Sequence, residues 1–279
     1  MNKKLINIIQ AVLTIALIAF VVLKAGDFFK HVDWHAVASS WPAILLSGAL
    51  FVCGYLVLAW HWMYVCRMID AKASDKQWIV FFASQPYKYL PTSLFTFSSR
   101  AMFASKFGMS LKQSSEAQLI ENLNLVGSAL VTGGLLLLLN YNFFIGLFAS
   151  LIVAIICLLI WNQRSIKIPK INLKLDLTKW FKSLAIVTLG WFIVGFGFFV
   201  MVIGLEGRVE PILSIAASNL ATGLGILAVF APGGIGVREL VFHYLTFASS
   251  TILIWRLTTF VVDIIFGAWA GWTISRSRR

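Results

Sequence analysis

Long apolar stretches dominate this chain, and they have the length of membrane spans. A helix needs about 20 apolar residues to cross a hydrocarbon layer of about 30 Å. Six runs meet that requirement, namely residues 5–23, 42–65, 117–139, 143–161, 184–205 and 251–274. Lys3 and Lys4 precede the first run as in a signal peptide. That run exceeds a signal-peptide core of about 7 to 15 residues and no Ala-x-Ala site follows it, so we expect it to stay as the first transmembrane helix.

Two further apolar segments are each broken midway by proline or glycine. Pro86-Tyr-Lys-Tyr-Leu-Pro91 interrupts residues 78–112, and Pro232-Gly-Gly-Ile-Gly236 interrupts residues 212–249. Each segment can be a re-entrant hairpin, which enters and leaves the bilayer on one side, or a single kinked span. Two opposed hairpins, each followed by a full helix, are what an inverted repeat produces, and such repeats place substrate sites near the membrane midplane.

The distribution of Lys and Arg indicates the orientation, because basic connections stay in the cytoplasm. The connection 162–183 holds six basic residues against one Asp, and both termini are basic, whereas the connections 24–41, 141–142 and 206–210 are neutral or acidic. We therefore expect a single transmembrane domain, residues 1–279, in the cytoplasmic membrane with both termini inside. Its halves, 1–161 and 184–279, are joined by the basic cytoplasmic loop 162–183. With six full spans, both termini and the loop 162–183 lie inside together only if each broken segment is a hairpin.

Composition excludes an ordinary soluble enzyme. Hydrophobic residues make up 59% of the 279 residues and charged residues 12%, with a mean hydropathy of +0.87, so the charges are too few to cover a soluble globule. The net charge of +12 does not indicate nucleic acid as a partner, because the basic residues lie in the connections, where they set topology and contact anionic lipids. The three Cys and four His show no metal-ligand spacing, and we expect no metal, no cofactor and no catalytic residue.

The second break offers the clearest candidate chemistry. Non-helical backbone at membrane depth is tolerated only where protein or water satisfies its polar groups. Here Gly233, Gly234 and Gly236 precede a half-helix that begins near Val237, with Arg238 and Glu239 in its first turn. Such a helix start binds phosphate or carboxylate. The alternative is a tight turn with a glycine cap.

Charged and hydroxyl side chains also occur around the first break and on the helices that follow each break. Lys88 lies between the two prolines, and hydroxyl residues lead to Arg100; a polar lining and an interfacial helix with snorkelling side chains are both compatible with them. One helical face carries Glu121, Asn124, Ser128 and Thr132, and another carries Arg256, Thr259, Asp263, Gly267 and Gly271. Charges within a span cost about 2.5 to 3.5 kcal/mol each and face the bundle interior. They either serve a substrate path or form ion pairs that hold helices together.

The two breaks together resemble a known family. Ala231-Pro-Gly-Gly-Ile-Gly-Val-Arg-Glu239, with Gly223-Leu-Gly225 before it and the Arg256 helix after it, is similar to the C-terminal signature of the lysylphosphatidylglycerol synthase transmembrane (flippase-like) family. Lys88-Tyr-Leu-Pro91, Arg100, Phe107-Gly-Met-Ser-Leu111 and Glu121 resemble the pattern of its first half. Thr92 departs from that pattern, since a Gly often follows the proline.

The resemblance implies a helical bundle of about six spans and two opposed broken hairpins that translocates an anionic lipid. The lipid is an aminoacyl-phospholipid or a polyprenyl-phosphate-linked sugar, and a separate glycosyltransferase or aminoacyltransferase is a compatible partner, as is a second copy of the chain. Since the longest soluble segment predicted is 162–183, we expect no complete lipid aminoacyl synthase. We expect the head group to contact Arg238, Arg100, Arg256, Lys88 and the glycines, with Glu239, Glu121 and Asp263 holding the arginines. The alternative is a transferase or accessory subunit acting on a polyprenyl-phosphate-linked sugar, in which a carboxylate acts beside the phosphate.

Overall fold

Ten helices and a short β-ladder make up the part of the chain that a computed structural model describes, which is residues 32–90, 94–161, 165–168, 173–229 and 231–276. In chain order they are α1 (Trp34–Ser39), α2 (Trp41–Ile69), α3 (Gln77–Ser84), α4 (Leu94–Ser105), α5 (Leu111–Tyr141), α6 (Phe143–Trp161), β1 (Ser165–Ile168), β2 (Leu173–Asp176), α7 (Leu177–Glu206), α8 (Pro211–Leu227), α9 (Val237–Tyr244) and α10 (Ser249–Arg276). Two 3-10 turns, Gln85–Tyr89 and Pro232–Gly234, lie between α3 and α4 and between α8 and α9.

Five of the described helices, α2, α5, α6, α7 and α10, are long and apolar enough to cross a membrane. They coincide with five of the six predicted spans, so the chain is an α-helical, multi-pass membrane protein. The sixth predicted span, residues 5–23, lies outside the described residues, as do Lys3, Lys4 and Thr92.

Local sequence signals account for where several of these helices begin and end. Ser110 caps α5 with its hydroxyl on the Gln113 N–H, and the Gln113 side chain accepts from the Ser110 N–H in return. Asp176 accepts from the first turn of α7, and Gly207 ends that helix with a φ of 68°. Asp176 also pairs with Ser165 across the antiparallel β1–β2 ladder, which lies in the predicted basic connection.

Helices α2 and α7 form a long antiparallel pair. Ser40 donates to the Gly204 carbonyl (2.5 Å), Ser47 to the Gly197 carbonyl (2.7 Å), and His61 Nε2 lies 2.9 Å from the Ser183 hydroxyl. The residue numbers of the partners on α7 decrease as those on α2 increase. The C-terminal end of α2 therefore lies beside the N-terminal start of α7. Small residues let the two backbones approach closely, as is typical of helices in lipid.

The two broken segments are hairpins in the described structure. The arms of the first hairpin (residues 77–105), α3 and α4, pack on each other, and so do the arms of the second hairpin (residues 211–244), α8 and α9. The flanks of the first are joined by Gln113, which donates to Asp70 over 3.1 Å. The residues on either side of the first hairpin therefore lie close together.

Glu206 and Arg208 join the flanks of the second hairpin. Glu206 accepts from the Ala248 N–H (2.9 Å), and Arg208 donates to the Thr246 carbonyl (2.9 Å) and pairs with Glu210 (2.6 Å). Although partial burial opposes the charged form, hydrogen bonds and charge from Glu210 and Glu206 raise the pKa of Arg208 above its usual value.

The first hairpin follows the end of α2 in the chain, and the second follows the end of α7. The helix contacts of the first hairpin correspond to those of the second. Helix α5 packs on α8 just as α10 packs on α3, and α2 contacts α3 just as α7 contacts α8. Each hairpin thus packs on the long helix that precedes it and on the long helix that follows the other hairpin.

Aromatic side chains fill the core between the α2–α7 pair and the second hairpin. Phe198 of α7 lies 4.6 Å from the Phe242 ring, 5.2 Å from Phe247 and 5.4 Å from Trp255, measured between ring centroids. Phe198 and Phe242 are almost completely buried. This packing holds α9 and α10 against α7 and so positions the second break.

Candidate functional site

The tips of the two hairpins, Gln85–Tyr89 (the first tip) and Pro232–Gly234 (the second tip), contact each other. Gly233 has a φ of 59°, and a Cβ there would lie 2.9 Å from the Tyr89 ring. Both the backbone conformation and the close approach therefore require glycine at this position. The first tip also packs on α10, where Gly267 leaves room for Pro86.

A cavity of about 480 Å³ lies beside the tips, between α2, α4, α5, α7 and α8. Aromatic rings form much of its wall, namely Phe51, Tyr55, Phe81, Phe97, Trp191 and Trp255. Six neutral polar side chains also line it, namely Gln85, Thr96, Gln118, Asn122, Thr222 and Thr259. Its charged lining, within the described residues, consists of Lys88, Arg100 and Arg238.

Lys88 of the first tip is held by a buried carboxylate from α10. Its ammonium group lies 2.7 Å from Asp263 and donates to the hydroxyl of Tyr55 over 2.9 Å and to Gln85 over 3.2 Å. The Tyr89 hydroxyl donates to the same Asp263 oxygen over 2.6 Å. The second Asp263 oxygen, Oδ1, has no hydrogen-bond partner within the described structure. Lys88 and Asp263 thus form a neutral pair that ties the first tip to α10.

Arg100 of α4 is paired with Glu121 of α5. The two side chains form an ion pair, and Arg100 Nε donates to the Ser84 hydroxyl over 2.9 Å. The guanidinium carbon also lies 5.1 Å from the ring centroids of Trp62 and Phe81. Arg100 reaches the cavity, whereas Glu121 is fully buried behind it. As with Lys88 and Asp263, a carboxylate that does not line the cavity neutralises a positive charge that does.

Arg256 supports the second tip instead of facing the cavity. Its Nε lies 2.7 Å from Glu239, and its terminal nitrogen donates to the Gly233 carbonyl over 3.1 Å. Glu239 also accepts from the Gly236 N–H over 2.7 Å. The carboxylate of Glu239 therefore satisfies the N-cap of α9, and Arg256 orders the break by binding both the carboxylate and the turn.

Arg238 is the exception among these basic groups. It lines the cavity from the first turn of α9, but no carboxylate of the described chain lies within ion-pair distance of it, and its buried Nε has no hydrogen-bond partner there. Glycines give it room, since a Cβ on Gly225 would lie 2.5 Å, and one on Gly234 2.8 Å, from Arg238 Nε. Arg238 as a whole is partly buried, and its Nε is a buried polar group whose lack of a hydrogen-bond partner costs free energy. An anion in the cavity would offset that cost.

The structure thus brings the ten predicted site residues to one region and divides their roles. Five of them line the cavity, namely Lys88, Arg100, Gly233, Gly234 and Arg238. The other five, Glu121, Gly236, Glu239, Arg256 and Asp263, lie behind it in the ion pairs and the N-cap.

Three contacts differ from the expected arrangement. Asp263 holds Lys88 and not an arginine. Arg256 does not line the cavity, because its side chain is bound to Glu239 and Gly233. At the start of α9, the Gly236 N–H is already bound, because the Glu239 carboxylate accepts it.

Apart from Glu121, polar residues on the same face of α5 hold helices together and do not line the cavity. Asn124 donates to the Ser183 hydroxyl (2.9 Å) and accepts from the Trp180 ring N–H (2.7 Å), while Thr132 accepts from Asn219 (3.1 Å). These bonds tie α5 to α7 and α8. The surface of α5 that faces the cavity is a different one, which includes Gln118 and Asn122.

Sequence reasoning missed Tyr55 and the hydroxyl of Tyr89 as parts of the site. Tyr55 lies in an uninterrupted apolar run, where nothing in the sequence distinguishes it from neighbouring aromatic residues. Tyr89 lies inside the first break, so its position next to Lys88 was the available signal.

In comparisons with known proteins, no protein-family model matches the chain, and no curated protein matches it.

Proposed function

We propose that this protein is a flippase-like membrane transporter that binds an anionic lipid head group in the cavity and moves it across the cytoplasmic membrane. The observation that carries the proposal concerns Arg238, which has no carboxylate partner among the described residues. It lies at a cavity wall where the other described cations, Lys88 and Arg100, are already neutralised. A phosphate oxygen is the partner that a guanidinium group binds best, through paired hydrogen bonds.

The architecture supports a transport role. In this proposal the two opposed hairpins are re-entrant, the chain is an inverted repeat, and the touching tips lie near the membrane midplane. Broken helices that meet at the midplane form the substrate sites of many transporters. The likeness of the two breaks to the lysylphosphatidylglycerol synthase transmembrane family points in the same direction, and we include membership of that family, with both termini in the cytoplasm, in the proposal.

Apolar surface beside the cavity suits a lipid more than a soluble anion. Phe97, Leu119 and Leu123 line the cavity and are at the same time exposed on the outer surface of the bundle. Leu227 and Val229, at the end of α8, share both properties. A head group can therefore occupy the basic end while the acyl or prenyl chains stay in contact with apolar side chains and surrounding lipid.

The test is movement of labelled lipid between leaflets of proteoliposomes. Wild-type protein is expected to move phosphatidylglycerol or a polyprenyl-phosphate-linked sugar, and Arg238→Ala is expected to abolish that movement while folding normally. Arg67→Ala is the matched control, because Arg67 pairs with a largely exposed Asp75 away from the cavity lining. Unchanged transport by Arg238→Ala would refute the assignment. Conversion of the sugar lipid to a new product would instead establish the transferase alternative.

A further inference from the structure

The charges and polar groups around the cavity define the head group more narrowly. We propose that the substrate carries a single phosphodiester, with one negative charge, and a neutral, hydroxyl-rich head group. This inference rests on the proposed function, since it concerns the same cavity. It distinguishes among anionic lipids by charge number and by the presence of ammonium groups.

The charge balance of the cavity fits one negative charge. Lys88, Arg100 and Arg238 are positive at its wall, and the carboxylates of Asp263 and Glu121 neutralise the first two from behind. One positive charge, that of Arg238, remains. The neighbouring Arg256–Glu239 pair is neutral and adds nothing. A phosphodiester balances the remaining charge, whereas a pyrophosphate brings at least one further negative charge into a poorly solvated space.

The neutral polar lining fits hydroxyl groups. Side-chain amides and hydroxyls, among them Gln118, Asn122 and Thr222, can each donate or accept a hydrogen bond. A glycerol or sugar head group also does both, so these side chains can satisfy it when water is excluded. Aromatic rings in the wall offer flat surfaces against which a sugar ring can pack.

The same lining disfavours an aminoacylated head group. An ammonium group needs a carboxylate or several acceptors when it leaves water. Within the described residues no carboxylate lines the cavity, because Asp263, Glu121 and Glu239 all lie behind it in ion pairs with Lys88, Arg100 and Arg256. An aminoacyl lipid would add positive charge beside three cations.

Five labelled lipids in proteoliposomes of the full chain test this inference. Phosphatidylglycerol and a polyprenyl-monophosphate sugar both have one negative charge and hydroxyls, and they separate a glycerolipid source from a prenyl-lipid source. Phosphatidylethanol has the same charge without hydroxyls, lysyl-phosphatidylglycerol adds ammonium groups, and a polyprenyl-pyrophosphate sugar adds charge. One of the first two is expected to move at least about tenfold faster than the other three, which corresponds to a difference of about 1.4 kcal/mol.

Two variants separate the charge argument from the hydroxyl argument. Asn122→Leu keeps every charge and should slow phosphatidylglycerol or the monophosphate sugar without slowing phosphatidylethanol. Glu121→Gln raises the net charge of the site by one and should shift the preference toward the pyrophosphate-linked sugar. If Glu121→Gln does not fold, Asn122→Leu and the five-lipid ranking still decide the question.

Each result has a definite meaning. Fastest movement of lysyl-phosphatidylglycerol or of the pyrophosphate-linked sugar overturns this inference and leaves the transporter proposal standing. This inference is also overturned if phosphatidylethanol and phosphatidylglycerol move at equal rates and the monophosphate sugar moves no faster than they do. If folded wild-type protein moves none of the five lipids, the proposed function fails and this inference fails with it.

Discussion

Substituting Gly225 with alanine displaces the critical cation without altering any charge. Gly225 lies in α8 against the side chain of Arg238, and a Cβ at that position would lie 2.5 Å from Arg238 Nε and 2.7 Å from its Cγ. Ordinary van der Waals contact needs about 3.5 to 4.0 Å, so the guanidinium group has to move by about 1 Å or more. Gly225→Ala therefore tests the position of Arg238, whereas Arg238→Ala tests its presence.

The expected magnitude follows from the hydrogen bonds that Arg238 would lose. A hydrogen bond to a charged group contributes about 1.5 to 3 kcal/mol, and each 1.4 kcal/mol changes a dissociation constant tenfold. Gly225→Ala should weaken phosphatidylglycerol binding by about 10- to 150-fold. The thermal stability should change little, because overpacking costs about 1 to 3 kcal/mol while alanine favours the helix by about 1 kcal/mol over glycine.

The assay is binding and leaflet exchange of labelled phosphatidylglycerol with purified protein, beside a melting curve for each variant. Gly127→Ala is the matched control, because Gly127 lines the same cavity but a Cβ there meets no atom within 4 Å. The reasoning is refuted if folded Gly225→Ala protein binds and moves lipid like wild type. It is also refuted if Gly127→Ala loses as much activity as Gly225→Ala.

Three further substitutions test the interactions that hold the site. Asp263→Asn leaves Lys88 buried without its counter-charge and should lower stability by about 3 to 5 kcal/mol, measured by thermal unfolding in detergent. The double variant Lys88→Met with Asp263→Leu should recover most of that lost stability. An equal loss of stability in the double variant contradicts this reasoning. Gly233→Ala should lower the melting temperature because of its positive φ and the Tyr89 ring, while Gly271→Ala, with open space around it, should not. Ser183→Ala removes the hydroxyl that accepts from the Asn124 amide and lies beside His61 Nε2, and it should cost about 1 to 3 kcal/mol of stability with unchanged lipid preference. A changed preference would place this network in the substrate path.

Much of the architecture follows from the sequence alone, because the signals involved are local. A run of about 20 apolar residues forms a helix in lipid wherever it occurs, since its backbone polar groups have no other partners. This rule located α2, α5, α6, α7 and α10. The positions of both breaks could be predicted from proline and glycine for an equally local reason, because these residues interrupt the helix at their own positions.

Only the tertiary structure decided which charges neutralise one another. Lys88 and Asp263 are 175 residues apart in the chain, and their contact depends on how the first hairpin packs on α10. The stripe on α5 illustrates the same limit, because Glu121 serves the site while Asn124 serves packing, although both lie on one helical face. The sequence places Arg238 in the second break, but only the packing of the described helices shows that no carboxylate among them pairs with it. Ion pairing inside a membrane protein depends on distances between helices, and no local pattern encodes those distances.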